Sequence, residues 1–178
     1  MEIERIETEH RKKLVETAAK IPKGVPDGWE KTGFAVGGLM YLGFSERRPE
    51  LLISISSQGQ RVINCRTWEK LYCDENYDEE DLIACTELLG DELVSIAGMG
   101  GGGLRQYAKN GDILEKIAPF WPKEQIIFMP KYNSWTQKPE ECMVIFEDYQ
   151  ILAYGFSRCG NYMAAGSSSD LDIFRRIV

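Results

Sequence analysis

Gly98, Gly100 and Gly103 stand at the spacing G-x-G-x-x-G. Between a strand and a helix, that spacing would lay a dinucleotide pyrophosphate on backbone N–H groups at the positive end of the helix. Such a site needs a helix opening at Gly103 and an acid about 20 residues further on. Beyond Gly103 the chain runs "LRQYAK", then Asn110-Gly111, then "DILEKIA". Asn-Gly between two apolar-containing runs signals a hairpin, because both turn residues take φ > 0. Pairing Lys109 with Asp112 sets Leu104, Ala108, Ile113 and Ile117 on one face and Tyr107 with Leu114 on the other. The glycines are therefore expected to make a turn or bulge leading into a hairpin. Gly100, Gly101, Gly102 and Gly103 as a ligand loop are the alternative.

Other residues offer chemistry in principle. "DENYDEEDLIAC" puts Asp74, Asn76 and Asp78 at positions 1, 3 and 5 of a calcium loop. Glu79 stands where the sharp turn needs glycine and Cys85 where a bidentate glutamate closes the site, so no calcium site is expected. Asp78 reads better as the N-cap of a short central helix over "EEDLIACTELL", stopped by Gly90. Cys65, Cys73, Cys85, Cys142 and Cys159 include no C-x-x-C pair, and His10 is the one histidine. Neither a zinc site nor a cysteine or serine nucleophile with its base is expected from them. Asp91, Glu92 and Asp112 could do acid–base work only if a pocket drove their pKa values apart. No catalytic residue, metal or cofactor is expected.

The charge map is more informative. Residues 73 to 100 carry nine acids and no lysine or arginine, which holds the whole excess behind the net charge of −7. Six of them, Asp74, Glu75, Asp78, Glu79, Glu80 and Asp81, fall within eight positions. Crowded like charges repel, so a cationic partner would relieve them, and such a field raises association rates by roughly 10- to 1,000-fold at low salt. A basic, toxin-like protein is the expected partner. Nucleic acid is not, since binding phosphates takes a basic stripe that the sequence does not display. Trp135, in the loop "KYNSWTQK", is expected either as an interface anchor or as a lid on the core.

These residues need a scaffold. A chain of 178 residues suffices for one domain, since about 150 residues already bury roughly 70% of the unfolded surface. Ile3, Ile6, His10, Leu14, Ala18 and Ile21 recur at helical spacing and predict an amphipathic helix over 1–21, with His10 on or beside its packing face. "IPKGVPDG" ends it. The charged opening has no apolar core of a signal peptide, and no run approaches the ~20 apolar residues of a membrane span, so a cytoplasmic protein with no membrane contact is expected. Residues 29–178 read as a β-rich body of short strands split by glycines and polar pairs.

Within that body, "GFSERRPELLISISS" (Gly43 to Ser57) aligns without a gap on "GFSRCGNYMAAGSSS" (Gly155 to Ser169), at an offset of 112. Strand, polar turn, strand, serine pair and strand describe a meander that cannot bury its face alone. The "GFS" units resemble the strand-turn-strand units of WD-repeat-like β-propeller blades, without the WD dipeptide or the Gly-His signature. Together with "WEKTGFAVGG" and "SSDLDIF", they are also similar to a small bacterial family with no assigned activity. The resemblance implies a β fold and no functional residues. The sequence predicts a mainly β (α+β) domain of antiparallel sheets with meander or propeller-like units. Its expected role is non-enzymatic protein binding, of the immunity or antitoxin kind, through the acidic segment. A small-ligand module or hydrolase-like enzyme using the Gly98–Gly103 loop is the alternative.

Overall fold

The computed structural model describes residues 2–177, with side chains from residue 7 onward. Helix α1 (Glu2–Ala18) opens the chain. After it come β1 (Trp29–Ala35), then the meander β2 (Leu39–Phe44), β3 (Leu51–Ser56), β4 (Gly59–Asn64) and β5 (Lys70–Asp74). Four two-residue strands come next: β6 (Tyr77–Asp78), β7 (Ile83–Ala84), β8 (Val94–Ser95) and β9 (Ala97–Gly98). The second half holds β10 (Ile113–Ile117), β11 (Glu124–Met129), β12 (Met143–Asp148), β13 (Ile151–Phe156), β14 (Tyr162–Ser167) and β15 (Asp170–Arg176). Every strand pair is antiparallel, in sheets ordered β5-β4-β3-β2-β9, β6-β7-β8, β10-β11-β12 and β1-β15-β14-β13.

The internal repeat is structural. β2-β3-β4 and β13-β14-β15 are the same meander, and each breaks register at the same place, between Leu39 and Tyr41 and between Ile151 and Ala153. The gap-free alignment is corrected by one residue. Phe44 and Phe156 are 112 apart, whereas Leu52 and Met163, their cross-strand partners, are 111 apart, because the turn in the second copy is one residue shorter. Ser56 therefore corresponds to Ser167 rather than Ser168. Both hydroxyls do the same work, accepting an amide N–H of the next turn, from Gln58 at 3.2 Å and from Asp170 at 3.3 Å. Gly43 and Gly155 also share a duty. A Cβ at Gly43 would lie 2.6 Å from the Ser95 carbonyl, and one at Gly155 would lie 2.3 Å from Leu104 Cβ, so each glycine lets a neighbouring segment cross its strand.

The two meanders pack on each other through Leu39, Leu42 and Leu52 of the first and Ala164, Leu171 and Ile173 of the second, all fully buried. Between the second meander and β10-β11-β12 lies a second apolar cluster around Trp29, whose ring meets Phe128 edge-on with centroids 5.9 Å apart. β1 brings Trp29 there by pairing with β15 along its length, from Trp29 with Arg176 to Ala35 with Asp170.

Three expectations change. The apolar stripe of α1 is buried only toward its end, at Ala18 and at Ile21 just beyond it, with Leu14 half-buried; His10 is exposed rather than on the packing face. The side chains of Ile3 and Ile6 lie outside the described residues. The central helix is reduced to a 3-10 turn, Glu87–Leu89, because Ile83–Ala84 is drawn into a strand between β6 and β8. Gly90 does end that turn, at φ 63°. The Asn110-Gly111 hairpin exists, but one residue out of the predicted register. Tyr107 faces Ile113, Ala108 N–H donates to the Asp112 carbonyl, and Gly111 at φ 89° closes a three-residue loop. The slip turns Leu114 into the core and leaves Tyr107 exposed.

The segment between α1 and β1 is pinned to this body by Glu147 of β12. Its carboxylate accepts from Gln125 Nε2 at 2.5 Å, Lys23 Nζ at 2.9 Å and Lys123 Nζ at 3.3 Å. The Gln125 amide first, and then the Lys23 ammonium, hold its pKa at about 2, below the ordinary 4.5. A carboxyl whose folded pKa is depressed contributes stability that is present above about 4.5 and lost as the pH falls toward 2. The side chain is 23% exposed, so the contribution is discounted for solvent to about 1–2 kcal/mol. Glu147→Gln should lower stability by that amount at neutral pH. Denaturant unfolding from pH 7 down to pH 2 should show the two proteins converging; a constant gap would refute the assignment.

Candidate functional site

The six clustered acids lie along one stretch of surface. β5, which carries Asp74, is the outer edge of the five-stranded sheet, and β6 and β7 form a hairpin whose tip is residues 79–82. Asp78 shapes that tip: its Oδ1 accepts the N–H groups of Glu80 at 2.8 Å and Asp81 at 3.0 Å. This is the local bond an N-cap makes, here closing a turn instead of starting a helix. Asp74 is half-buried, tied to Gln60 Nε2, which also donates to the Cys85 carbonyl at 2.8 Å. Glu75, Asp78, Glu79, Glu80 and Asp81 are exposed.

Among the described residues none of these six acids is ion-paired. The contrast with the rest of the surface is plain. Glu46 pairs with Arg105 at 2.9 Å, Glu30 with Arg175 at 2.6 Å and Asp91 with Arg47 at 2.5 Å. The hairpin also has an apolar neighbour. The carbonyl of Leu82 at its tip accepts the Ile96 N–H at 2.9 Å, and the Leu82 side chain lies beside Gly100, so the glycine turn that carries the exposed Met99 abuts the tip.

The glycine run is a structural turn. Gly98 and Gly101 exchange both backbone hydrogen bonds, at 2.9 and 3.0 Å, around Met99 and Gly100. No helix opens at Gly103: the chain passes extended to Arg105, whose carbonyl accepts the Phe156 N–H at 2.6 Å. A Cβ at Gly98 would meet the Met40 carbonyl oxygen at 1.9 Å, and one at Gly102 the Ile96 carbonyl oxygen at 2.7 Å, so glycine is required by close chain crossings. Gly103 differs, with open space around it; it lines a pocket of about 240 Å³ with Leu104, Arg105, Glu46, Phe44 and Phe156.

The carboxylates offered for acid–base work do not converge. Asp91 is exposed, and its Arg47 partner lowers its pKa by hydrogen bond and charge. Glu92 is buried and accepts from the Ser45 hydroxyl at 2.8 Å, Glu46 N–H at 2.7 Å and Arg47 N–H at 3.2 Å. Asp112 is buried and accepts from Arg176, from Asn110 Nδ2 and from the Lys131 N–H. Both buried groups hold loops together. Burial pushes the Cys142 thiol up to about 11 and the Cys65 thiol higher still, which disfavours the nucleophilic thiolate at both.

Of the two places expected for Trp135, it takes the one in the core and is no surface anchor. It is 8% exposed and packs with Ala18, Ile21, Ile127, Met129 and Val144, filling the seam between α1 and the β10-β11-β12 sheet. Among the described residues the exposed aromatics are Tyr107, Phe120, Trp121, Tyr132 and Tyr149. Sequence reasoning also missed a group of arginines, Arg66, Arg175 and Arg176, which the fold gathers around one pocket from segments more than 100 residues apart.

No family model matches the chain, and neither a curated protein nor a solved structure matches it. Any reading of its function therefore stands on the residues themselves. No helix among the described residues is long and apolar enough to cross a membrane.

Proposed function

We propose that the chain is a protein-binding domain that captures a basic partner on the acidic hairpin, as an inhibitor of the immunity or antitoxin kind. The supporting observation is a set of exposed carboxylates that make no ion pair among the described residues, at a hairpin tip fixed by the Asp78 turn and abutted by the glycine turn that carries the exposed Met99. Such a surface combines the two parts a docking site uses: a charged rim that speeds and orients encounter, and an apolar contact that loses water on binding. Repulsion among the free acids is relieved when cations arrive, so association should be fast at low salt and weaken steeply as salt rises.

The test uses Asp78→Asn, Glu79→Gln, Glu80→Gln and Asp81→Asn together; Asn at position 78 keeps an oxygen to accept the two turn amides. Tagged native protein and this variant are incubated with source-cell lysate at low and high salt, and retained proteins are identified by mass spectrometry. A basic protein held in stoichiometric amount by the native chain is expected, with association at least roughly tenfold slower for the variant when the purified pair is measured. Equal association of both chains at low salt, or no retained protein, would refute the reading.

A further inference from the structure

The arginines missed by sequence reasoning surround a pocket of about 420 Å³ formed by Glu30, Arg66, Asn161, Tyr162, Arg175 and Arg176. That volume falls in the range of small-molecule sites, roughly 300–1,000 Å³. Three arginines and one glutamate line it, and with Arg175 paired to Glu30 and Arg176 to Asp112 one positive charge is left over, in a chain of net charge −7. Attraction by the molecule as a whole cannot explain an anion there; the local donors must.

Two of the arginines are held in place. Arg175 lies over the Trp68 ring at 4.6 Å, donates twice to Glu30 Oε2 at 2.8 and 2.6 Å, and bonds the Arg66 carbonyl. Arg176 lies over Trp29 at 4.3 Å and donates to buried Asp112 at 2.7 Å. Arg176 also donates to the Gly160 carbonyl at 3.4 Å, and each guanidinium has five N–H groups, more than these bonds use. Arg66 is different. Its side chain is exposed, lies beside the Tyr162 hydroxyl and makes no ion pair among the described residues. Its backbone is nevertheless fixed, because the Asn64 side chain accepts the N–H of Arg66 at 2.8 Å and of Thr67 at 3.3 Å. Donors already held in position lose little freedom when a ligand arrives.

From this we infer a binding site for the phosphate group of a small phosphorylated molecule, with Arg66 as the residue that waits for it. Planar guanidinium forks match phosphate oxygens in pairs, and a phosphate dianion offers acceptors to more than one fork at once. A carboxylate brings one charge and two oxygens, where a phosphate dianion brings two charges and three oxygens, so the phosphate answers more of a lining that holds three arginines. The site is separate from the acidic hairpin and does not depend on capture of a basic partner there.

The test is calorimetric titration of the full chain at fixed ionic strength with inorganic phosphate, adenosine monophosphate and adenosine, for the native protein and Arg66→Gln. Arg66→Gln removes no ion pair among the described residues, and its thermal unfolding, measured alongside, should match the native curve. Saturable binding of the two phosphate-bearing probes and not of adenosine is expected, weakened about tenfold or more by Arg66→Gln. Equal binding of phosphate and the nucleotide assigns the ligand as the free ion, and tighter nucleotide binding assigns an organic phosphate. Absence of saturable phosphate binding, or binding untouched by Arg66→Gln, would overturn the inference.

Discussion

Gly98→Ala should cost about 3–5 kcal/mol, a large share of the total stability of an ordinary domain, whereas Gly103→Ala five residues on should change stability by no more than about 0.5 kcal/mol. The difference lies in what each new methyl would meet. At Gly98 it would sit 1.9 Å from the Met40 carbonyl oxygen, 2.9 Å from the Met40 carbonyl carbon and 3.0 Å from Tyr41 Cα, all backbone atoms of β2. No rotamer change relieves a clash with backbone, so β9 must leave β2, taking with it the Met99 N–H bond to Met40 at 3.0 Å and the pairing of Tyr41 with Gly98. At Gly103 nothing lies within 4 Å and φ is not in the left-handed region. Denaturant unfolding of the two variants decides the matter. Equal, small losses would mean that the turn is loosely held and free to serve as a ligand loop.

That contrast also shows why the glycine run was only half legible. The sequence pattern excludes a dinucleotide loop because Asn110-Gly111 forbids the helix, and the hairpin is there. Which glycines are obligatory depends on β2 crossing at Met40, some sixty positions away, and no local pattern reports a crossing. The repeat was legible for the opposite reason: two copies of "GFS" before a turn meet the same local requirement, a glycine where a segment crosses and a serine where the turn begins. Even so, the one-residue difference in turn length leaves no mark in the sequence, since the serine run tolerates a slip. The central helix failed through competition. "DLIAC" has helical spacing, but Ile83 and Ala84 gain partners on both sides by lying between β6 and β8, and a two-residue strand leaves no periodicity to read. The acidic segment was visible as a charge run; the arginine pocket was not, because residues 30, 66 and 175 become neighbours only when β1 closes against β15.

Glu92→Ala should be the most damaging change of a charged side chain, at about 3–5 kcal/mol, although the residue is a carboxylate in a chain already rich in them. Glu92 is 5% exposed, and its two oxygens accept three donors from the turn after β2: the Ser45 hydroxyl and the N–H groups of Glu46 and Arg47. Ser45 in turn accepts the Arg48 N–H at 2.8 Å, so one carboxylate organises four successive residues. Alanine leaves those donors facing a void that water fills only in part, and each unsatisfied buried donor costs about 1–3 kcal/mol. The corresponding turn in the second meander holds itself together differently. Ser157 accepts the Tyr162 N–H at 3.3 Å and lies 3.4 Å from the Cys159 thiol, and among the described residues no carboxylate bonds it, in a turn one residue shorter. The longer first turn has backbone groups to satisfy that the shorter one lacks, and Glu92 supplies the acceptors. Glu92→Gln, which keeps one acceptor oxygen but forces an NH2 against a donor, should fall between the native protein and Glu92→Ala. Unfolding curves for the three proteins give the order. If Glu92→Ala lost less than about 1 kcal/mol, the turn would have to find water or its own carbonyls instead, and the buried carboxylate would need another purpose.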